Sequence, residues 1–431
     1  MAQDLRKNAR EGGRRSFYNS EFVVALKHLE RVEQTLRECD VPFGGVERSP
    51  DLGLALVRLS DDERAAELVN IALQEELRAR DRDAKNPDPQ AVPTALDRFL
   101  YGLRELFAAR SAGWRPTLGK NRLVGDVIGG VGKISHGGGD MPTDTQDRFL
   151  ERSKRDEADL GKGVRVAVLD TSISSHDWLA GGWVSPPGGV LTPRTEPPLA
   201  AAAGHATFVA GLVLKQAPAC VVEARSVLSD DFGQATSWDA AIAIAEIGKT
   251  HPDVLNLSFA CYTEDGQAPL ALATAIDRLD ASTVVVAAAG NHGDLPLDGQ
   301  DRWDEDDRRK PAWPAALDGV VAIGAATKSG TRAPFTPEDA HWIDAIAVGE
   351  KVVSTFVTAN VNVAEDEDGD ADVREFKGWA AWSGTSFSAA LVSGFIAAKT
   401  VPGQVSARQA WDEILSDARK GSAEPPFIGL P

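Results

Sequence analysis

The chain has 431 residues, enough for one large domain plus a small one, or for two to three ordinary domains. Its 43% hydrophobic and 26% charged residues exclude a disordered or fibrous chain, and no apolar run approaches the roughly 18 to 20 residues of a membrane span. Nearly all of the net charge of −18 falls after residue 160, which argues against a nucleic-acid partner for that part, because phosphates would be repelled.

The opening, MAQDLRKNAREGGRRSFYNSEF, is charged and lacks the apolar core of a secretory leader. Cys39, Cys220 and Cys261 are too few and too scattered for a disulfide scaffold or a zinc site. Together these features predict a cytoplasmic protein with no membrane partner. Residues 21–26 (EFVVAL) read as a strand, and residues 28–39 as a helix with Leu29, Val32 and Leu36 on one face. GGVERS and LGLALVRLS suggest two strands joined by the turn SPDLG. Ser60 is the expected N-cap of the next helix, whose acidic first turn and basic last turn suit the helix dipole. A further helix is predicted over residues 93–110. This order is that of a small open-faced α+β sandwich, assigned to residues 1–135.

Between residues 129 and 161 the composition changes to glycine, turn formers and a dense charge run, ERSKRDEADLGKG. Residues 136–160 read as a linker, or as a segment lying across another surface. From Val164 onward, valine- and alanine-rich runs recur at 164–170, 220–228, 253–259, 283–290 and 319–326. Helical stretches at 237–249 and 270–280 lie between them. Strands apolar on both faces, alternating with helices, predict an α/β domain over residues 161–431: a mostly parallel sheet with helices on both faces. In such sheets the chemistry sits at the carboxyl ends of the strands.

Asp170 ends the first of these strands, in VAVLDTS. His205 opens an apolar helix in GHATFVAGLVL, and Ser386 stands in WSGTSFSAALVSGFIAA, where a turn runs into a small-residue helix. Alone, each is more often a capping or structural residue. Together they supply a nucleophile, a base, and an anion to orient that base, in the chain order Asp, His, Ser.

With these motifs, residues 161–399 resemble the subtilisin-like serine proteases. VAVLDTSISSHDWL resembles the family's aspartate motif, GHATFVAG its histidine motif, VVVAAAGNHG its oxyanion motif and SGTSFSAALVSG its serine motif; KPAWPAALDGVVAIGAA resembles the segment that follows the oxyanion motif. The resemblance implies that Asp170, His205 and Ser386 are catalytic. It makes Asn291 the oxyanion donor, with the Ser386 backbone N–H as the second. It also implies that Ser258, Phe259 and Ala260 form one wall of the primary specificity pocket, and Ala288 to Gly290 the other. The stretch around Phe232, Gly233 and Gln234 would pair with an extended substrate. His292 would border the residue before the scissile bond.

The family usually has Gly where Ala206 stands, His at Phe208, Gly at Ala260 and Pro at Ala390. None of these changes removes a triad group. The acidic run AEDEDGDADVRE (364–375) invites a calcium reading, but its spacing does not match a twelve-residue calcium loop, so an acidic hairpin tip is expected there. DGQDRWDEDDRRK (298–310) reads as a charged surface insertion. No metal and no cofactor is required. The expected function is intracellular serine endopeptidase action on protein or peptide substrates through an acyl-enzyme. The N-terminal domain resembles the family's propeptides in layout, which implies an intramolecular inhibitor; a partner-docking module is the alternative. Other readings are a dedicated maturation protease, a partner-triggered effector protease, or a catalytically silent binding module.

Overall fold

The structure, a computed structural model, describes residues 17–79, 94–126, 141–149, 158–192, 197–263, 265–294, 305–365, 371–421 and 424–430. The N-terminal unit contains β1 (Phe17–Ala25), α1 (Leu26–Glu38), β2 (Phe43–Ser49), β3 (Leu54–Leu59), α2 (Asp62–Ala79), α3 (Ala95–Arg110) and β4 (Leu118–Asp126). Its strands form an antiparallel sheet in the order β4-β1-β3-β2. Successive side chains of a strand point to opposite faces, and here both faces are buried. Phe22, Val24 and Val57 pack under the helices with Val32, Leu36, Phe99 and Leu103. Val23, Leu54, Leu56 and Val124 turn the other way, into a core shared with the C-terminal unit. That is why residues 21–26 read as apolar without alternation. The cap of α2 differs from expectation: Asp61, not Ser60, accepts the Arg64 N–H at 2.9 Å. The helix simply starts one residue later, where a carboxylate can reach its third N–H.

The C-terminal unit is built around β5 (Arg165–Asp170), α4 (His205–Gln216), β6 (Val221–Ser226), β7 (Gln234–Thr236), α5 (Ser237–Gly248), β8 (Val254–Leu257), β9 (Phe259–Tyr262), α6 (Leu270–Asp277), β10 (Val284–Ala288), β11 (Ala312–Trp313), β12 (Val321–Ala326), β13 (Ala345–Val348), β14 (Val352–Glu365), β15 (Ala371–Trp382), α7 (Thr385–Lys399), α8 (Ala407–Ala418) and β16 (Phe427–Ile428). Among the described residues the main sheet has eight strands, all parallel, in the order β16-β13-β12-β10-β8-β5-β6 and then Trp183–Val184. Every residue of β8, β10 and β12 is buried, as strands covered on both faces must be. The one amide in β8, Asn256, is satisfied: it donates to Ser258 Oγ at 2.8 Å and accepts from Ser393 Oγ at 3.0 Å.

Two parts of the chain depart from the local pattern. The run over 253–259 breaks after Leu257, and β9 joins a different sheet, antiparallel to β11 and β4. The acidic stretch expected as a hairpin tip is flanked by the long antiparallel pair β14 and β15, while its central residues 366–370 lie outside the described residues. Of the linker, residues 141–149 lie across that pair. Thr143 and Asp144 pair with Ala381 and Ala380, and the Phe149 ring packs edge-on against Trp178 and Trp379 at 4.8 and 5.1 Å.

The two units are joined through a buried face. Val23, Leu54, Leu56 and Val124 meet Trp238, Ala241, Leu272 and Phe259. Around this apolar patch, Asn121 Oδ1 accepts the Trp238 backbone N–H at 3.0 Å, Glu47 accepts the Trp238 indole N–H at 2.8 Å, and Arg122 pairs with Asp265 at 2.7 Å. Asn121 thereby satisfies one of the donors left open in the first turn of α5.

Candidate active site

Each candidate side chain sits at the end of an element that aims it. Asp170 closes β5, His205 opens α4, Ser386 is the second residue of α7, and Asn291 follows the end of β10. Helices α4 and α7 run very close: a Cβ at Gly394 would lie 2.6 Å from the Val213 carbonyl. Small residues in α7 permit this approach, which brings the amino ends of both helices to one rim of the sheet. All four side chains are at most 1% exposed, so the site is closed to solvent in this state.

His205 Nδ1 lies 2.8 and 2.9 Å from the two carboxylate oxygens of Asp170. A carboxylate only accepts, so Nδ1 carries a proton, and in the neutral imidazole Nε2 is then the basic nitrogen. The Asp170 carboxylate also accepts the Thr171 backbone N–H at 2.7 Å, and its carbonyl takes the Val227 and Leu228 N–H groups. The imidazole is backed by aromatic rings, Trp382 at 5.7 Å edge-on and Phe387 at 5.5 Å. Phe208, where the family usually has histidine, lies fully buried beneath them, its ring 4.5 Å from that of Phe387. The Ser386 hydroxyl donates to the Ser258 carbonyl at 3.1 Å, and Ser258 Oγ donates back to the Ser386 carbonyl at 3.2 Å.

Asn291 is oriented by a residue that motif reading passed over. Its Oδ1 accepts both the backbone N–H and the hydroxyl of Thr385, each at 2.9 Å. With the oxygen held there, Nδ2 takes the opposite side of the amide. Nδ2 lies 3.4 Å from where a Cβ on Gly384 would stand, so the glycine before Thr385 leaves it room. The signal was present as the hydroxyl directly preceding the nucleophile. A second unforeseen residue is Asp230, which accepts the Ser172 backbone N–H at 2.7 Å and so fixes the turn that leaves Asp170. Burial pushes its carboxyl up from the usual range, and the nearby Asp231 and Asp170 carboxylates add to the rise.

The residues assigned to substrate contact lie along two edges. Gly233 takes a positive φ of 61° just before β7; Ser258 precedes β9, and Phe259 and Ala260 begin it. Ala288 ends β10, and Gly290 follows with φ 92°. The side chain of Phe259 faces the shared core, so this residue offers only its backbone to the edge. Between the two edges lies the protein's own strand β4. Leu123, Val124 and Gly125 pair antiparallel with Thr236, Ala235 and Gln234, while Gly125 and Asp126 pair antiparallel with Ala260 and Phe259. Among the described residues no group of three His, Cys, Asp or Glu side chains is arranged to hold a metal ion.

A polarised imidazole, a serine at a helix amino terminus and an amide fixed through its oxygen constitute the parts needed for acyl transfer. The chain resembles known proteins in the same sense. Subtilisin BL of Lederbergia lenta is 31% identical over 207 residues, 46% of this chain and 67% of the relative. The thermostable alkaline protease of Halalkalibacterium halodurans is 32% identical over 207 residues, and the chain spans half of that relative's length. In fold, fervidolysin from Fervidobacterium pennivorans superposes on 98% of this chain and 61% of its own, with a TM-score of 0.57 at 14% identity. Residues 161–425 match the subtilase family, more than half of the chain. On that match the chain belongs to the subtilase family and is a subtilisin-like serine protease.

Proposed function

We propose that this protein is a serine endopeptidase for protein or peptide substrates, held in check by its own N-terminal unit. In the proposed reaction Ser386 Oγ attacks the scissile carbonyl carbon as its proton passes to His205 Nε2, and Asp170 stabilises the imidazolium. The developing oxyanion receives hydrogen bonds from Asn291 Nδ2 and the Ser386 backbone N–H at the start of α7. As the C–N bond breaks, His205 returns the proton to the leaving amine. Water, activated in the same way, then releases the acyl group from Ser386.

The observation that carries the restraint is the position of β4, paired on both sides with the edges assigned to substrate. An extended peptide adding as a strand would use the same backbone groups, so β4 and substrate compete for them. The chain leaves this groove at Asp126 and is anchored again at Thr143 on β15. Self-cleavage between Asp126 and Met141 would free the N-terminal unit and leave residues 141–149 on the enzyme. Intact-mass measurement tests this. Wild type is expected to lose roughly the first 126 to 140 residues, and Ser386→Ala to stay at full length. A wild type that stays whole, or a Ser386→Ala chain cut at the same place, contradicts it. Adding the separated N-terminal unit back to the processed enzyme should inhibit hydrolysis; failure to inhibit would leave that unit as a docking module.

The restraint should strengthen in mild acid. Burial raises the Asp239 carboxyl above its ordinary range, and the Glu47 and Glu21 carboxylates of the N-terminal unit add to the rise. A carboxyl whose pKa is raised in the docked state binds protons better there, so docking gains as pH falls through its titration and weakens as pH rises through it. Asp239→Asn is therefore expected to tighten inhibition by the added N-terminal unit about threefold at pH 7, the difference shrinking as pH falls toward and below the pKa of an ordinary aspartate. Inhibition constants across that range check it.

A cytoplasmic setting is part of the proposal, supported by a low cysteine content in which all three thiols are buried and scattered. Detection of the protein in a culture filtrate but not in cells would overturn it.

A further inference from the structure

The oxyanion donor is held by its side chain through Thr385, and its main chain has a separate neighbour. Tyr262 ends β9, three residues beyond Phe259, and pairs with Ala312 on β11. Its hydroxyl is buried beside the Gly290–Asn291 backbone, and that burial pushes its pKa far up. The Tyr262 ring stands edge-on to His292 at 4.6 Å. His292 is in turn anchored through Nε2, 2.8 Å from the Lys310 carbonyl. A carbonyl only accepts, so Nε2 carries the proton. Both groups close on the residue before the donor: a Cβ at Gly290 would lie 2.7 Å from the Tyr262 hydroxyl and 2.7 Å from His292 Nδ1. The backbone there has φ 92°, a conformation that glycine adopts without strain. The segment that carries Asn291 thus passes through a polar clamp with no room for adjustment.

β9 is also the strand whose first two residues, Phe259 and Ala260, pair with the chain lying in the groove. We propose that Tyr262 is a positioning residue for the oxyanion donor, transmitting the placement of β9, and hence of a paired substrate strand, to the backbone of Asn291. This inference rests on the serine-peptidase reading. An oxyanion donor acts only when its N–H meets the oxygen of the tetrahedral intermediate, and a shift well under an ångström weakens that contact more in the transition state than in the ground state. Loss of the hydroxyl should therefore appear in kcat and not in KM. It should matter most for substrates long enough to pair with β9.

The test is Tyr262→Phe, which removes one oxygen and keeps the ring against His292. It is measured with an extended peptide and with a small ester, per active site counted by a serine-directed fluorophosphonate. The expected result is a kcat on the peptide lowered about five- to tenfold by the misplaced donor, with KM within twofold. The ester should lose less. In an Asn291→Ala background the same substitution should cost nothing further, because the group it positions is gone. An equal loss in both backgrounds, or a change in KM alone, overturns the assignment. Counting per titrated site separates these outcomes from misfolding. A wild type that hydrolyses no better than Ser386→Ala would instead overturn the peptidase reading itself.

Discussion

Ser386→Ala is expected to lower kcat by about a millionfold, the size this deletion has in subtilisin itself, while the protein stays folded. Only one oxygen is lost, and its hydrogen bond to the Ser258 carbonyl is one of several contacts at that point. The Ser258 hydroxyl still donates to the carbonyl of residue 386, and α7 keeps its small-residue packing against α4. His205→Ala should cost a similar amount, and the double mutant little more, because the nucleophile has no function without its base. Rates measured on processed enzyme, with thermal unfolding alongside, check both claims. A single mutant within tenfold of wild type would exclude this triad.

Asn291→Ala should reduce kcat by about a hundred- to a thousandfold with KM little changed, again the magnitude known for the same replacement in subtilisin. Here a second consequence follows from Thr385. Its backbone N–H and hydroxyl both donate to Asn291 Oδ1 in a fully buried position. Removing that acceptor leaves a buried donor unsatisfied, at a cost of about 1–3 kcal/mol in stability. The variant should thus melt earlier as well as turn over slowly, and active-site titration separates the two effects. A raised KM with kcat preserved would make Asn291 a binding residue.

Much of this site was legible because strand ends are encoded locally. A run apolar on both faces that stops at Asp170, and small-residue helices that start at His205 and Ser386, mark where an α/β sheet presents side chains. The parallel strands β5, β6, β8, β10 and β12 fall within a residue or two of their apolar runs for the same reason. What escaped depends on partners distant in sequence. β9 looks like a continuation of β8 until its pairing with β4, from the other unit, draws it into a second sheet. Asp126 and Phe259 lie far apart in the chain, and no local pattern records their register. The pair β14 and β15 was read only as an acidic tip, although the alternation in VTANVNV was a usable sign. Thr385 and Tyr262 are ordinary residues by composition; only proximity to Asn291 gives them a role.

Inside the shared core, Val23, Leu54 and Val124 are at most 3% exposed. Each fully buried aliphatic side chain of this kind contributes on the order of 1.5–3 kcal/mol. In the proposed sequence of events, a cut in the connecting chain removes the tether before a unit docked through such a face is released.

The most direct measurement is labelling with a fluorophosphonate, which forms a stable bond only with an activated serine. Wild type is treated before and after release of the N-terminal unit, alongside Ser386→Ala and His205→Ala, and the adduct is located by peptide mapping. The expected result is one adduct per chain on Ser386, forming faster after release and absent from both variants. An adduct on any other serine, or none on the released enzyme, would contradict the account.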